Sequence, residues 1–515
     1  MATLFTRTTW VFSAIILVIG LIFEAVLAGS IWRWLAVRQS GSRPRKAGPW
    51  IAVALTLWTS SQGLHIWADA VGYSPVTGFT AMLPLYYPVH AKGRLERLGW
   101  LDPDRVQEAH LLRESSVSAS GEINYPLHPL QCPVPETRDP DESLHVASSV
   151  PSNGPLNVVW VLIDALRPDA IDAVTTPALA NFSADGQVFA NHWSGGNSSR
   201  MGLFSMFYGL PGTYWHDFYN NQRPPVLMDE FRRHNYALMT SSAVGYGSPT
   251  LIDRTVFAGV TGLNPESDQG GVVKNRQVTA DWLDWLAKRQ RSADGQQPFL
   301  AFLYYDPPLM SEDDVDAAGV KRLPDDSRYT GKEKARRLWQ RYRRGVHLVD
   351  GEMARVLDSL KAAGLDDNTL VIISSDHGYE FDDLGLGYYG HASNFGQYQL
   401  RATLMMHWPG RPPQVFRNRS SHFDLPATLL EGLFHCSNPP SDYSVGHNLF
   451  DGMSWDWIIA ASYVAHAIVQ PNRVMVSEPG GFAEVLGPDY RPPANGRLDA
   501  ALIEESLRAM RRFYR

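Results

Sequence analysis

Long apolar stretches open the chain, and short apolar runs alternating with amphipathic stretches fill most of the rest. Val11 to Trp32 is almost continuously apolar and, at roughly 20 residues, matches the thickness of a bilayer. Glu24 interrupts it, which is costly in hydrocarbon and calls for a partner helix, a polar cavity or lipid headgroups. Trp50 to Ala68 is a second predicted span, diluted by Thr59-Ser-Ser-Gln-Gly63. No small-residue cleavage site follows the first run promptly, so an uncleaved anchor is expected over residues 1–70 rather than a signal peptide. Arg33, Arg38, Arg43, Arg45 and Lys46 lie between the two spans, against Arg7 before the first. Positive charge marks the cytoplasmic loop, so everything after Ala70 is expected on the outer side of the membrane.

Residues 71–153 read as a connector broken by prolines such as Pro75, Pro84, Pro88, Pro126 and Pro133, with one short helix near Pro103 to Arg113. Tyr73, Tyr86, Tyr87 and Trp100 are interleaved with Lys92, Arg94 and Arg97. That mixture suits an interfacial seat touching anionic membrane lipids, and equally a basic linker lying beside the bilayer. From residue 154 to 515 strand-like runs alternate with helical ones, the pattern of an α/β domain. Strands are predicted at 157–163, 236–242, 299–305, 369–375, 402–407 and 473–477. Helices are predicted at Pro177 to Asp185, Arg200 to Tyr208, Thr279 to Arg289, Lys332 to Ala363 and Ala501 to Arg515. The long one places Tyr342, Val346, Val349, Met353, Val356 and Leu360 on one face, and Gly364 ends it.

Composition narrows the function classes. A net charge of −7 without a long basic run argues against nucleic acid as a partner. Cys132 and Cys436 are the two cysteines; they leave room for one disulfide and exclude a Cys-rich zinc ribbon.

The candidate chemistry lies at strand ends, where open parallel sheets collect it. Asp164 follows Asn157-Val-Val-Trp-Val-Leu-Ile163, and Asp376-His377-Gly378 follows Thr369-Leu-Val-Ile-Ile-Ser-Ser375. Carboxylate, carboxylate and imidazole make a metal-ligand set, although an acid after a strand also serves as a helix cap or turn. Asp169 and Asp172 are expected to be exposed or capping. Between the two strands lies Ser194-Gly-Gly-Asn-Ser-Ser-Arg200, directly before a predicted helix. Glycines and free N–H groups there suit an anion, Ser198 or Ser199 offers a nucleophile, and Arg200 a clamp for an oxyanion; a Gly/Ser turn with an N-cap is the plainer alternative. His391 in Gly390-His-Ala-Ser-Asn394 is a candidate leaving-group acid or further ligand. His422 is a weaker candidate, and His407 is expected to be structural.

These segments in this order resemble the sulfatase branch of the alkaline phosphatase superfamily. More narrowly, His65-Ile-Trp-Ala-Asp-Ala70, Leu83-Pro-Leu-Tyr-Tyr-Pro88, Phe207-Tyr-Gly-Leu210, His407-Trp-Pro-Gly410 and Tyr443-Ser-Val-Gly-His-Asn-Leu-Phe450 resemble the YejM (PbgA) family of Gram-negative bacteria. The resemblance runs from about residue 60 onward. It implies transmembrane helices, of which the family usually has five and this sequence the last two, followed by a periplasmic sulfatase-like α/β/α sandwich with a mostly parallel central sheet. It makes Asp164, Asp376 and His377 metal ligands; on chemical grounds the expected metal is zinc or manganese, one ion or two, with the Ser198 oxygen as a further ligand. Ser198 also becomes the nucleophile, with Ser199 the alternative alignment, and His391 matches the superfamily's downstream histidine. The C/S-x-P-x-R motif of true sulfatases is missing, which disfavours sulfate esters. No histidine follows the strand ending Tyr305-Asp306-Pro-Pro308, which leaves substrate handling open.

Two functions follow as expectations. One is an inner-membrane enzyme whose periplasmic domain hydrolyses or transfers a phosphoester of an envelope lipid or glycan. The other is a non-catalytic sensor of cardiolipin or lipopolysaccharide that signals to a membrane protein partner.

Overall fold

Asn157-Val-Val-Trp-Val-Leu-Ile163 forms a strand with every residue buried, because both of its faces are covered. A computed structural model of the chain describes residues 48–70, 122–134, 154–264, 271–292, 296–307, 310–478, 482–493 and 499–515. The predicted span 11–32, the helix at 103–113 and the lipid-facing cations of the connector lie outside them. The chain divides into two compact units, residues 1–119 with 478–482, and residues 120–477 with 483–515.

In the larger unit the strands are β1 (Asn157–Ile163), β2 (Gln187–Phe189), β3 (Ala237–Ser242), β4 (Phe299–Tyr305), β5 (Thr369–Ser374), β6 (Leu404–His407) and β7 (Gln414–Phe416). They form one sheet in the order β7-β2-β6-β5-β1-β4-β3. Only β6 runs against the others, so the expected mostly parallel sheet is present. The β1 side chains alternate between two helical layers. Val159, Val161 and Ile163 pack with residues of α2 (Pro177–Asp185), α4 (Gly271–Gln290) and α5 (Glu333–Ala362). Trp160 stacks on Phe207 of α3 (Ser199–Tyr208), which packs in turn on α6 (Asp424–Phe434). All six apolar residues read on the long helix are buried, and Gly364 follows it at φ 64°, a conformation glycine adopts without a Cβ clash.

Three expectations shift. Helix α4 starts at Gly271 rather than Thr279. The predicted strand 402–407 is the antiparallel β6. The predicted strand 473–477 leaves the main sheet and joins β8 (Ile458–Ala461), β9 (His466–Val469), β10 (Val474–Glu478) and β11 (Phe482–Leu486) in a separate four-stranded sheet. Short connections bring β8, β9 and β10 together antiparallel, whereas a parallel strand of the main sheet would need a long crossover.

In the smaller unit the second predicted span is a helix, α1 (Gly48–Ala70). Its centre carries Thr59, Ser60, Ser61 and Gln62, and among the described residues no helix is long and apolar enough to cross a membrane.

Residues 122–134 of the expected connector pack onto the larger unit. Leu127 N–H donates to the Asp442 carbonyl at 2.8 Å, Ser437 N–H to the Gln131 carbonyl at 3.0 Å, and Cys132 is disulfide-bonded to Cys436 across 304 residues of sequence. The bond limits how far the connector separates from the domain when the chain unfolds. Replacing Cys436 with Ser should lower unfolding free energy by about 2–4 kcal/mol, measured by denaturant titration, and thiol titration of the wild type without reductant should find both cysteines blocked.

Candidate metal centre

The carboxyl ends of β1 and β5 deliver the site. The two strands pair in parallel with Leu162 opposite Ser374, so the residues just beyond them are neighbours. Asp164, Asp376 and His377 are buried, and one ligand atom from each lies within 4.8 Å of the others. The three ligand residues singled out in the sequence therefore meet.

Backbone geometry aims them. Ala165, directly after Asp164, is left-handed at φ 51°, a strained conformation for a residue with a Cβ. That turn points the Ala165 N–H at Asp376 Oδ1 at 3.0 Å, and the His377 N–H reaches the same oxygen at 3.0 Å. On the other side the Tyr342 hydroxyl donates to the Ala165 carbonyl at 2.9 Å. Asp376 Oδ2 is buried and has no hydrogen-bond partner. His377 Nδ1 lies 2.7 Å from the Gly378 carbonyl. A carbonyl only accepts, so Nδ1 carries the proton and Nε2 presents a lone pair, as in metal-binding histidines oriented by a backbone oxygen.

The hydroxyl brought to this cluster is that of Ser199, the first residue of α3. Its Oγ lies 3.2 Å from Asp164 Oδ2 and 3.2 Å from His377 Nε2. Ser198, one residue earlier, has extended backbone at φ −141° and ψ 153°. Its Oγ is buried without a hydrogen bond of normal geometry, with the Tyr463 hydroxyl as a polar neighbour. The extended backbone of Ser198 and the helical start at Ser199 send the two side chains different ways. Helix α3 approaches closely because Gly202 lies against Asp376, where an added Cβ would stand 2.2 Å from the Asp376 carbonyl oxygen. The positive end of the helix is thereby set beside the carboxylates.

The remaining candidates separate. His391 stacks on His377 with ring centroids 4.4 Å apart, and its Nδ1 has no hydrogen-bond partner. Arg200 is engaged differently from the oxyanion clamp expected of it. Its Nε and Nη2 donate to the Pro249 carbonyl at 2.9 and 2.8 Å, and its guanidinium lies over Trp215 and Tyr463. A cation sandwiched between rings and bonded to a carbonyl braces the wall of the site. His422 is fully buried behind the centre, with Nε2 3.0 Å from the Ser375 carbonyl. His407 pairs with Val371 toward the opposite end of β5, away from the site as expected. Asp172 accepts N–H bonds from Val174 and Thr175 in a turn.

Sequence reading missed three contributors. Tyr304, in a fully buried strand, donates its hydroxyl to Asp164 Oδ2 at 2.8 Å; a tyrosine at the carboxyl end of such a strand needs a polar partner, and that was the available signal. Tyr463 comes from the separate sheet, which no spacing argument places here. Arg167, 3% exposed, joins the two ligand loops: it pairs with Asp383 at 3.0 Å and Asp169 at 2.6 Å and donates to the Tyr379 carbonyl.

Electrostatics follow from the geometry. Burial, and then the neighbouring Asp164 charge, push the Asp376 carboxyl up to about 8. Burial pulls His377 down, so its imidazole stays neutral. Burial and the His377 ring pull His391 down to about 4. Asp164 Oδ2, Asp376 Oδ2 and His377 Nε2 thus offer lone pairs to one small volume, where Tyr304 and Ser199 supply a single O–H proton each. The arrangement is short of positive charge and fits a divalent cation, with the oxygen and nitrogen donors zinc and manganese accept.

Replacing Arg167 with Met should destabilise the fold by about 3–5 kcal/mol, because it leaves the buried Asp383 carboxylate unpaired. A urea titration of the variant and the wild type checks this; a change below 1 kcal/mol would remove the brace.

A family model described as Sulfatase matches residues 156–433, and one described as a domain of unknown function, DUF3413, matches residues 2–132. The inner membrane protein YejM of Salmonella typhimurium is 27% identical over 505 residues, covering 97% of this chain and 75% of that protein. An uncharacterised protein of Haemophilus influenzae is 26% identical over 496 residues, covering 96% and 74%. Among solved structures, the phosphonate monoester hydrolases of Agrobacterium radiobacter and Silicibacter pomeroyi each superpose with a TM-score of 0.50 at 16% and 17% identity. They cover 69% and 70% of this chain and 95% and 96% of theirs, a likeness of fold. With the matching model spanning more than half of its residues and the YejM likeness nearly all of them, the chain belongs to the sulfatase family, as a YejM-like member in which a DUF3413 region precedes the sulfatase domain.

Proposed function

We propose that the chain is a metal-dependent phosphoester hydrolase or transferase, held at the bacterial inner membrane with its sulfatase domain in the periplasm. The observation that carries this reading is the unpartnered Asp376 Oδ2 facing Asp164 and His377 in a buried pocket. Two carboxylates brought together out of water are costly unless a cation or a proton offsets their charge, and a cation site would use both. The disulfide suits an oxidising compartment, and the Salmonella relatives carry the name inner membrane protein.

Asp164, Asp376 and His377 would hold the ion. A divalent cation there would supply Lewis acidity and lower the pKa of a nearby hydroxyl. Ser199 is the better nucleophile by position, since its Oγ touches two of the ligands. Its hydroxyl gives up its proton to water and its oxygen bonds to phosphorus as the bond to the alcohol oxygen breaks, while the N-terminus of α3 offers N–H groups to the phosphoryl oxygens. His391, stacked beside His377 and held neutral by burial, offers its ring N–H as a hydrogen-bond donor to the departing alcohol oxygen, which takes its proton from water. Water or an acceptor hydroxyl then takes the phosphoryl group from Ser199. The ester is an envelope lipid or glycan, in keeping with a membrane-held domain.

Metal analysis of the purified full-length chain should find about one zinc or manganese per chain, lost in Asp376→Ala. Ser199→Ala should keep the metal and lose turnover of p-nitrophenyl phosphate by at least 10³-fold, in the range seen when a nucleophile is removed. A wild type that takes up no divalent ion would instead favour the non-catalytic lipid sensor.

A further inference from the structure

The separate four-stranded sheet is tied to the serine loop rather than merely packed near it. At the end of β8, Ala461 N–H donates to the Gly195 carbonyl at 2.9 Å, and Asn197 N–H donates to the Ala461 carbonyl at 3.1 Å. Gly196 permits the contact, since a Cβ there would stand 3.0 Å from the Ala461 oxygen and 2.3 Å from Met201. The β8–β9 turn, closed by Ser462 N–H to the Ala465 carbonyl at 2.7 Å, is therefore hydrogen-bonded through Ala461 to the loop that starts α3. That turn carries Tyr463. Its ring lies 4.9 Å from the Arg200 guanidinium, which Pro249 and Trp215 hold from the other sides, and its hydroxyl is beside Ser198.

Two further polar atoms at this place lack partners. Ser198 Oγ and Asn197 Oδ1 are both buried and without hydrogen bonds of normal geometry. Buried groups of this kind are normally satisfied, and here they sit one and two residues before the Ser199 hydroxyl. The Tyr463 phenol, the Ser198 hydroxyl beside it and the unpaired Asn197 amide oxygen place three polar groups next to the Ser199 nucleophile.

We propose that Tyr463 is a substrate-contacting residue, delivered by the separate sheet, whose hydroxyl donates a hydrogen bond to a non-bridging oxygen of the phosphoryl group bound at Ser199. This assignment rests on the phosphoester reading above. The phenol is suited to it: burial holds its proton on against the opposing Arg200 charge and Ser198 hydroxyl, so it meets an anionic oxygen as a donor. Ser198 adds a second hydroxyl on the same side, a binding group rather than a nucleophile. Preorganised donors of this kind act where charge develops on the transferred group.

The test uses the full-length chain in detergent, loaded with manganese, with p-nitrophenyl phosphate as substrate and inorganic phosphate as inhibitor. Tyr463→Phe keeps the ring over Arg200 and removes only the hydroxyl. It should lower kcat/KM about 10²-fold and weaken phosphate inhibition, with the metal content of the wild type. Tyr463→Leu should be no less impaired. Unchanged kcat/KM and phosphate inhibition in Tyr463→Phe, with or without loss in Tyr463→Leu, would overturn the assignment and leave the ring as a brace for Arg200. A metal-loaded wild type that neither turns over the ester nor binds phosphate would overturn the phosphoester reading and this assignment with it.

Discussion

Two carboxylates and a neutral imidazole share one buried volume at the carboxyl ends of adjacent parallel strands, and together they have more lone pairs than protons. Asp376 Oδ2 makes no hydrogen bond of normal geometry, with His377 Nε2 3.5 Å away, Asp164 accepts a hydrogen bond from Tyr304, and the single Ser199 proton lies within reach of Asp164 and His377. Like charges packed this closely out of water destabilise one another, which is why the Asp376 carboxyl is driven up to about 8 by burial and its neighbour. Without a cation the conflict is relieved by a proton held on Asp376; a cation of charge two would relieve it with both carboxylates ionised. The surrounding fold reads as the apparatus that keeps this conflict in place.

Each piece of that apparatus is costly by itself. Ala165 is held left-handed, Gly202 gives up a side chain so that α3 can rest on the Asp376 backbone, and Arg167 is buried to join the two ligand loops through Asp169, Asp383 and the Tyr379 carbonyl. Strain and buried charge of this kind persist where the surrounding structure over-determines them. The large apolar core supplies that support: β1, β4 and β5 are buried throughout, and helices α4 and α5 contribute apolar side chains to the same core.

Much of this was legible in the sequence. Buried parallel strands write themselves as unbroken apolar runs, so β1, β4 and β5 and the acids that end β1 and β5 could be read directly. The long helix showed its apolar stripe. Pairings that depend on distant segments were illegible. Tyr463 reaches the site from the turn between β8 and β9, two four-residue strands too short for a periodic signal, and Arg167 looked like any arginine after a strand. Ser198 and Ser199 are adjacent and identical in type; only the backbone, extended at one and helical at the next, separates their roles. The anchor was read from hydropathy alone. Its second span is a helix with a polar centre, and its first lies outside the described residues.

The most direct test is crystallographic: diffraction from manganese-soaked crystals of the sulfatase-domain-containing chain, collected at the manganese absorption edge. The account predicts one anomalous peak about 2.0–2.3 Å from Asp164, Asp376 Oδ2 and His377 Nε2, with Ser199 Oγ turned toward it. An absence of anomalous signal there, with Ser199 still bridging Asp164 and His377 as a plain hydrogen-bond pair, would contradict it.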